Sequence, residues 1–136
     1  MAHHHSLYML LADCAAQAGD QAGLRQYAPR LEEAAAQAQH KLYQAIAHRA
    51  WGVAHRLAGE YSQAEARLTQ ALELFGRLET RWQIGRTHVE LAALAESRAE
   101  PAQARAHLTQ AAEAFEALEA APALARTRAA LQALGA

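Results

Sequence analysis

Hydrophobic positions recur along the chain at steps of three and four, and the same wording returns after forty residues. RLTQALELFGRL, residues 67–78, is followed by HLTQAAEAFEAL, residues 107–118. In the first copy Leu68, Leu72, Phe75 and Leu78 form one stripe, and in the second Leu108, Phe115 and Leu118 do the same. That spacing is the signature of an amphipathic helix with one face turned inward. Sliding the sequence against itself in steps of forty also aligns QAGLRQYAPRLEEA, from Gln21, with the other two copies. Between the copies, Leu11, Trp51, Leu91 and Leu131 share one column, and Cys14, Ala54, Leu94 and Leu134 share another. A repeat of this length, holding two helix-length stretches, marks a stacked array of helix–turn–helix units.

Turn chemistry divides the array into elements. Gly19-Asp20 and Gly59-Glu60 place glycine where a helix ends in a left-handed residue, and at Ala99-Glu100-Pro101 a proline opens the next helix. Ser62 to Glu65 and Thr80 to Gln83 fit the reciprocal capping box. The predicted helices are 5–18, 21–38, 41–58, 62–78, 81–98, 101–118 and 121–134. Gly23 and Pro29 fall inside the second, which is expected to kink or to begin late, because an interior proline removes a hydrogen bond and crowds the preceding turn. The fold class is therefore all-α, with about seven antiparallel helices. The expected layout is a tag-like or frayed start at 1–4 and one domain over 5–136. That domain comprises units 5–44, 45–84 and 85–124 with a capping helix at 125–136.

Residue sizes follow the same columns. Ala12, Gly52 and Ala92, with Ala64 and Ala104, offer the small side chains that let two helices of a hairpin cross closely. Each buried Leu or Phe contributes roughly 1.5–3 kcal/mol, so a lone hairpin with a wet stripe gains most of its stability from stacking. In the last helix Leu131 and Leu134 are expected to dock inward while Arg126, Arg128 and Gln132 face water.

These residues resemble the tetratricopeptide repeat. The resemblance is carried by Trp51-Gly52, Gly59-Glu60-Tyr61, Ala64 and Ala71, and in the next unit by Leu91-Ala92, Ala99-Glu100-Pro101, Ala104 and Ala111. The first unit departs from the pattern with Leu24 and Leu31 in place of alanines, and the period exceeds the family's usual length by about six residues. Longer units of this kind are similar to the arrays found in large bacterial signalling proteins. The resemblance covers residues 5–136 and implies a right-handed superhelix with a scaffold role. It also implies that the first helix of each unit lines a concave, partner-binding face. Carried onto this chain, that face takes Ser6, Met9 and Asp13, then Ile46, Arg49, Val53 and Arg56, then Arg86, Val89, Glu90 and Ala93, and Arg126 from the cap. Arginine forks suit carboxylates, so the implied partner is an acidic peptide, another protein, or a neighbouring domain of the same chain. Two rival readings remain open at this level: a homo-oligomerisation module acting through its end helices, and a small-molecule effector sensor.

Composition narrows the chemistry. Thirteen basic residues against fourteen acidic ones give a net charge of −1, which supplies no positive field for nucleic acid or anionic lipid. Apolar runs are short and interrupted, so no membrane span is expected, and the reading is a soluble, cytoplasmic protein. The single cysteine, Cys14, sits in a core column and is expected to be buried. His48 and His88 share a column but lack the further ligands and spacing of a metal site, and are read as packing histidines. Trp51 and Trp82 are likewise read as packing residues. No phosphate loop or nucleophile elbow is present, so no enzyme activity, cofactor or metal is expected.

Overall fold

A computed structural model describes the backbone of residues 3–135 and the side chains of residues 7–135. Met1, Ala2 and Ala136, and the side chains of the histidine run and of Ser6, lie outside the described residues. The described chain is all-α: α1 (His3–Ala18), α2 (Gln21–Ala38), α3 (Lys41–Leu57), α4 (Tyr61–Arg77), α5 (Arg81–Ser97), α6 (Pro101–Ala117) and α7 (Ala121–Gly135). It divides into two compact units, residues 1–74 and 75–136, with the boundary inside α4.

One backbone device, repeated every twenty residues, closes each helix and opens the next. Gly19, Gln39, Gly59, Glu79, Ala99 and Glu119 are all left-handed, with φ between 53° and 79°. After each, the next amide reaches back five residues, as from Asp20 to the Ala15 carbonyl at 2.8 Å and from Ala120 to the Phe115 carbonyl at 2.9 Å. The left-handed residue itself bonds three back, as from Gly59 to Arg56 at 3.0 Å. These two bonds satisfy carbonyls that a helix end leaves orphaned. The residue after the left-handed one is then the N-cap of the following helix, so the turn has no spare length. Only two of the six positions hold glycine, and a residue with a Cβ is strained there by about 1 kcal/mol. Glu79→Gly and Ala99→Gly are therefore each expected to raise the unfolding free energy by about 0.5–1 kcal/mol, and Gly59→Ala to lower it similarly, in urea denaturation.

The twenty-residue cycle also corrects several local expectations. Helix α4 starts at Tyr61, so Ser62 lies within its first turn rather than at the N-cap place the capping box requires. At Thr80 the backbone takes the N-cap place, but its hydroxyl donates to the Phe75 carbonyl (3.2 Å) in the preceding helix instead of closing a capping box. Helix α2 does not begin late: Asp20 caps it, accepting from the Gly23 amide at 3.0 Å. A Cβ on Gly23 would lie 2.6 Å from the Asp20 carboxylate, so this glycine leaves room for the cap. Pro29 sits on the exposed side of the same helix, which continues through it to Ala38.

In the first unit α1 packs on α2, α2 on α3, and α1 on α3. Leu24, Ala28, Leu31 and Ala35 of α2 are buried at the spacing of a single apolar stripe, and Ala64, Leu68 and Ala71 of α4 repeat it. Helix α3 is buried more widely, through Ala45, Ile46, Ala47, Ala50, Val53 and Ala54. The expected close crossing is present: a Cβ on Gly52 would lie 2.5 Å from Leu68 Cγ. In the second unit α5 packs on α6 and α6 on α7. Its outer stripe is Ala104, Leu108, Ala111 and Phe115, and Val89, Ala120 and Leu124 pack around the cluster of Ala111, Phe115 and Ala123. Leu78 and Leu118, expected to complete the stripes, are exposed, because each lies one residue beyond the last helical turn. On α7 the buried residues are Ala123 and Thr127, while Leu131 and Leu134 are half-buried and Arg126, Arg128 and Gln132 are exposed.

Candidate interaction surfaces

The structure sorts the candidate partner-binding residues into core and surface. In the first unit Arg49 is 1% exposed, and its Nη2 donates to Asp13 Oδ1 at 3.3 Å, so α3 and α1 are joined through two of the candidates themselves. Val53 and Ile46 are in the core. Met9 is half-buried, as is Arg56, whose Nε is enclosed and meets no acceptor among the described residues. In the second unit Glu90 is buried and Val89 packs against the Phe115 cluster. Arg86 and Ala93 are half-buried and Arg126 is exposed.

Sequence reasoning missed a polar pair built into the two hairpins at the same register. In the first unit His48 of α3 meets Arg67 of α4, with Nδ1 and Nη1 3.0 Å apart. Arg67 also binds Glu32 of α2 and lies 5.6 Å above the Trp51 ring. In the second unit the corresponding residues, forty further along, are His88 and His107, with their Nδ1 atoms 3.0 Å apart. The column shared by His48 and His88 was visible in the sequence, but its partner column of Arg67 and His107 was not paired with it. Burial lowers the pKa of His48, helped by the Arg67 charge and opposed by Glu32. Burial likewise pushes His88 down to about 4, with repulsion from His107 adding to it.

The two tryptophans serve packing in different ways. Trp51 is half-buried between Arg67 and His55, whose ring stacks 5.8 Å away. Trp82 is exposed on one side and lies at 54° to Phe115, with ring centroids 5.1 Å apart. Cys14 departs from its expected burial and is exposed, together with Leu7 and Leu10 on α1. The same column is buried on α3 at Ala54 and on α5 at Leu94, but open on α1 at Cys14.

Among the described residues no three His, Cys, Asp or Glu side chains converge as a metal site would require, and no helix is long and apolar enough to cross a membrane. The fold and these surfaces define an all-α helical-hairpin repeat protein. Comparisons with protein-family models, with curated proteins and with solved structures return no match.

Proposed function

We propose that the chain is a protein–protein recognition or scaffold module of the tetratricopeptide type. In this reading it binds an acidic peptide or partner domain through the first helices of its hairpins. It acts by binding rather than catalysis, as part of a larger bacterial cytoplasmic regulator. The observation that carries the reading is Arg56. A half-buried arginine on α3 keeps part of its side chain open, and a guanidinium fork is suited to a carboxylate brought by a partner. The repeated helix stops support it too, since they hold such side chains on a preorganised backbone and reduce the ordering cost of binding.

The test is titration of a glutamate-rich helical peptide, followed by fluorescence anisotropy. Arg56→Glu is expected to weaken binding about tenfold, equivalent to ~1.4 kcal/mol. Arg25→Glu, at an exposed place on α2, leaves it unchanged. Equal affinity of the wild type and both variants, or no binding of the peptide, would remove this face and this partner class.

A further inference from the structure

Along α1 the exposed residues Leu7, Leu10, Cys14 and Gln17 succeed one another at steps of three, four and three. That is the spacing of a coiled-coil seam, in which alternate steps keep one stripe facing a partner helix. Leu7 is 53% exposed and Leu10 58%. In the same register on α3 stand Ala47, Ala50 and Ala54, all buried, in a unit where α3 packs against α1. The repeat thus builds this face to lie under another helix, and on α1 it is open among the described residues.

Two features identify what covers it. The first is size. Alanine at all three places on α3 permits close backbone approach, whereas leucine at 7 and 10 holds a partner helix at the wider separation of about 8–10 Å, where leucines interdigitate. The seam therefore fits a helix with matching large residues, not another alanine-lined layer. The second is charge. From Leu7 to Ala18 the only charged side chain is Asp13, and it is engaged by Arg49. A two-fold contact sets each residue against its own kind or a near neighbour, so a charged stripe would repel its copy. This stripe carries no charge to repel.

We propose that the outer face of α1 is a homotypic docking surface, where Leu7 and Leu10 of one chain pack against the same stripe of a second copy. The seam spans about two heptads, which places the contact among small, weak and concentration-dependent interfaces. It is independent of the Arg56 surface, so either reading stands if the other fails.

The experiment is analytical ultracentrifugation of the full chain across a wide concentration series, with Cys14 alkylation as a second readout. The wild-type mass is expected to rise to twice the monomer value, and alkylation of Cys14 to slow as dimer forms. Leu7→Glu combined with Leu10→Glu stays monomeric at the highest concentration, with Cys14 alkylated at a constant rate. Both side chains are exposed, so far-ultraviolet circular dichroism of the double variant is expected to match the wild type. Leu131→Ala combined with Leu134→Ala leaves the dimer intact. A wild type that remains monomeric throughout overturns the proposal. So does a dimer that survives the Leu7 and Leu10 replacements or is lost with the Leu131 and Leu134 replacements.

Discussion

Phe115→Ala is expected to lower the unfolding free energy by about 3–5 kcal/mol, seen as a fall in the urea midpoint at unchanged slope. The size of the loss follows from what surrounds the ring. Phe115 is nearly fully buried and shares its cluster with Ala111 and Ala123. It fills the space above Gly85, where an added Cβ would come within 2.7 Å of its Cε1. Alanine and glycine have no side-chain length with which to close a void, so the cavity left by truncation persists and adds to the lost transfer free energy. Larger side chains at the site are Val89 and Leu124, packed against the cluster, and Trp82, 5.1 Å away and open to solvent on its far side. Phe115→Leu keeps much of the volume and is expected to cost less than about 1.5 kcal/mol. A loss of less than about 1 kcal/mol for Phe115→Ala would show that Val89, Leu124 or Trp82 moves in to fill the vacancy.

Acidification is expected to destabilise the protein between pH 6.5 and 4 through His88. In the unfolded chain a histidine protonates near 6.5, whereas in the folded chain burial, reinforced by His107, delays His88 to about 4. Above pH 6.5 neither state holds this proton and no stability is lost. As pH falls through the window the unfolded state takes up the proton first, and the equilibrium shifts toward it. A displacement of 6.5 − 4 = 2.5 units corresponds to at most about 3 kcal/mol, reached near the lower end. The figure is an upper bound, because a single proton shared between the two Nδ1 atoms, 3.0 Å apart, relieves part of the penalty. His88→Gln is expected to flatten the dependence of unfolding free energy on pH across this window while leaving the stability at pH 8 within about 1.5 kcal/mol of wild type. An unchanged slope in that variant would assign the acid sensitivity elsewhere. His48 is displaced in the same direction, but the nearby Glu32 carboxylate partly offsets burial and Arg67, so His48→Gln is expected to flatten the slope less.

Helix positions were largely legible in the sequence because the information that sets them is local. The stop at Gly59 and the start at Pro101 each depend on a few consecutive residues whose backbone preferences are chemical properties of glycine and proline. The outer stripes were legible for the same reason, since 3.6 residues per turn brings Leu68 and Phe75, or Leu108 and Phe115, onto one face wherever the helix sits. The close approach at Gly52 was readable from the column of small residues at that place. The stops at Gln39, Glu79 and Glu119 were not readable from residue type, because nothing in glutamine or glutamate favours a left-handed backbone. They follow only from the twenty-residue cycle of turns and the packing it serves.

The candidate surface was legible in part. Met9, Arg56 and Arg86 lie on the first helices of hairpins and Arg126 on the last helix, as the repeat pattern places them, but side-chain fate was not legible. Nothing near Arg49 announces that Asp13, thirty-six residues earlier, will lie 3.3 Å away and take its guanidinium into the core. The pairs of His48 with Arg67 and His88 with His107 join residues nineteen apart on different helices, so they exist only once a hairpin has closed. Cys14 shares its column with Ala54 and Leu94, yet it is exposed while they are buried.

By itself, then, the sequence determined the helices, the stops marked by glycine or proline and the apolar faces, since backbone dihedrals and helical periodicity act over a handful of consecutive residues. Tertiary structure decided which side chains were enclosed, which charges met and which face of α1 stayed open. Burial and ion pairing are relations between surfaces, and they depend on the helix that comes to lie alongside.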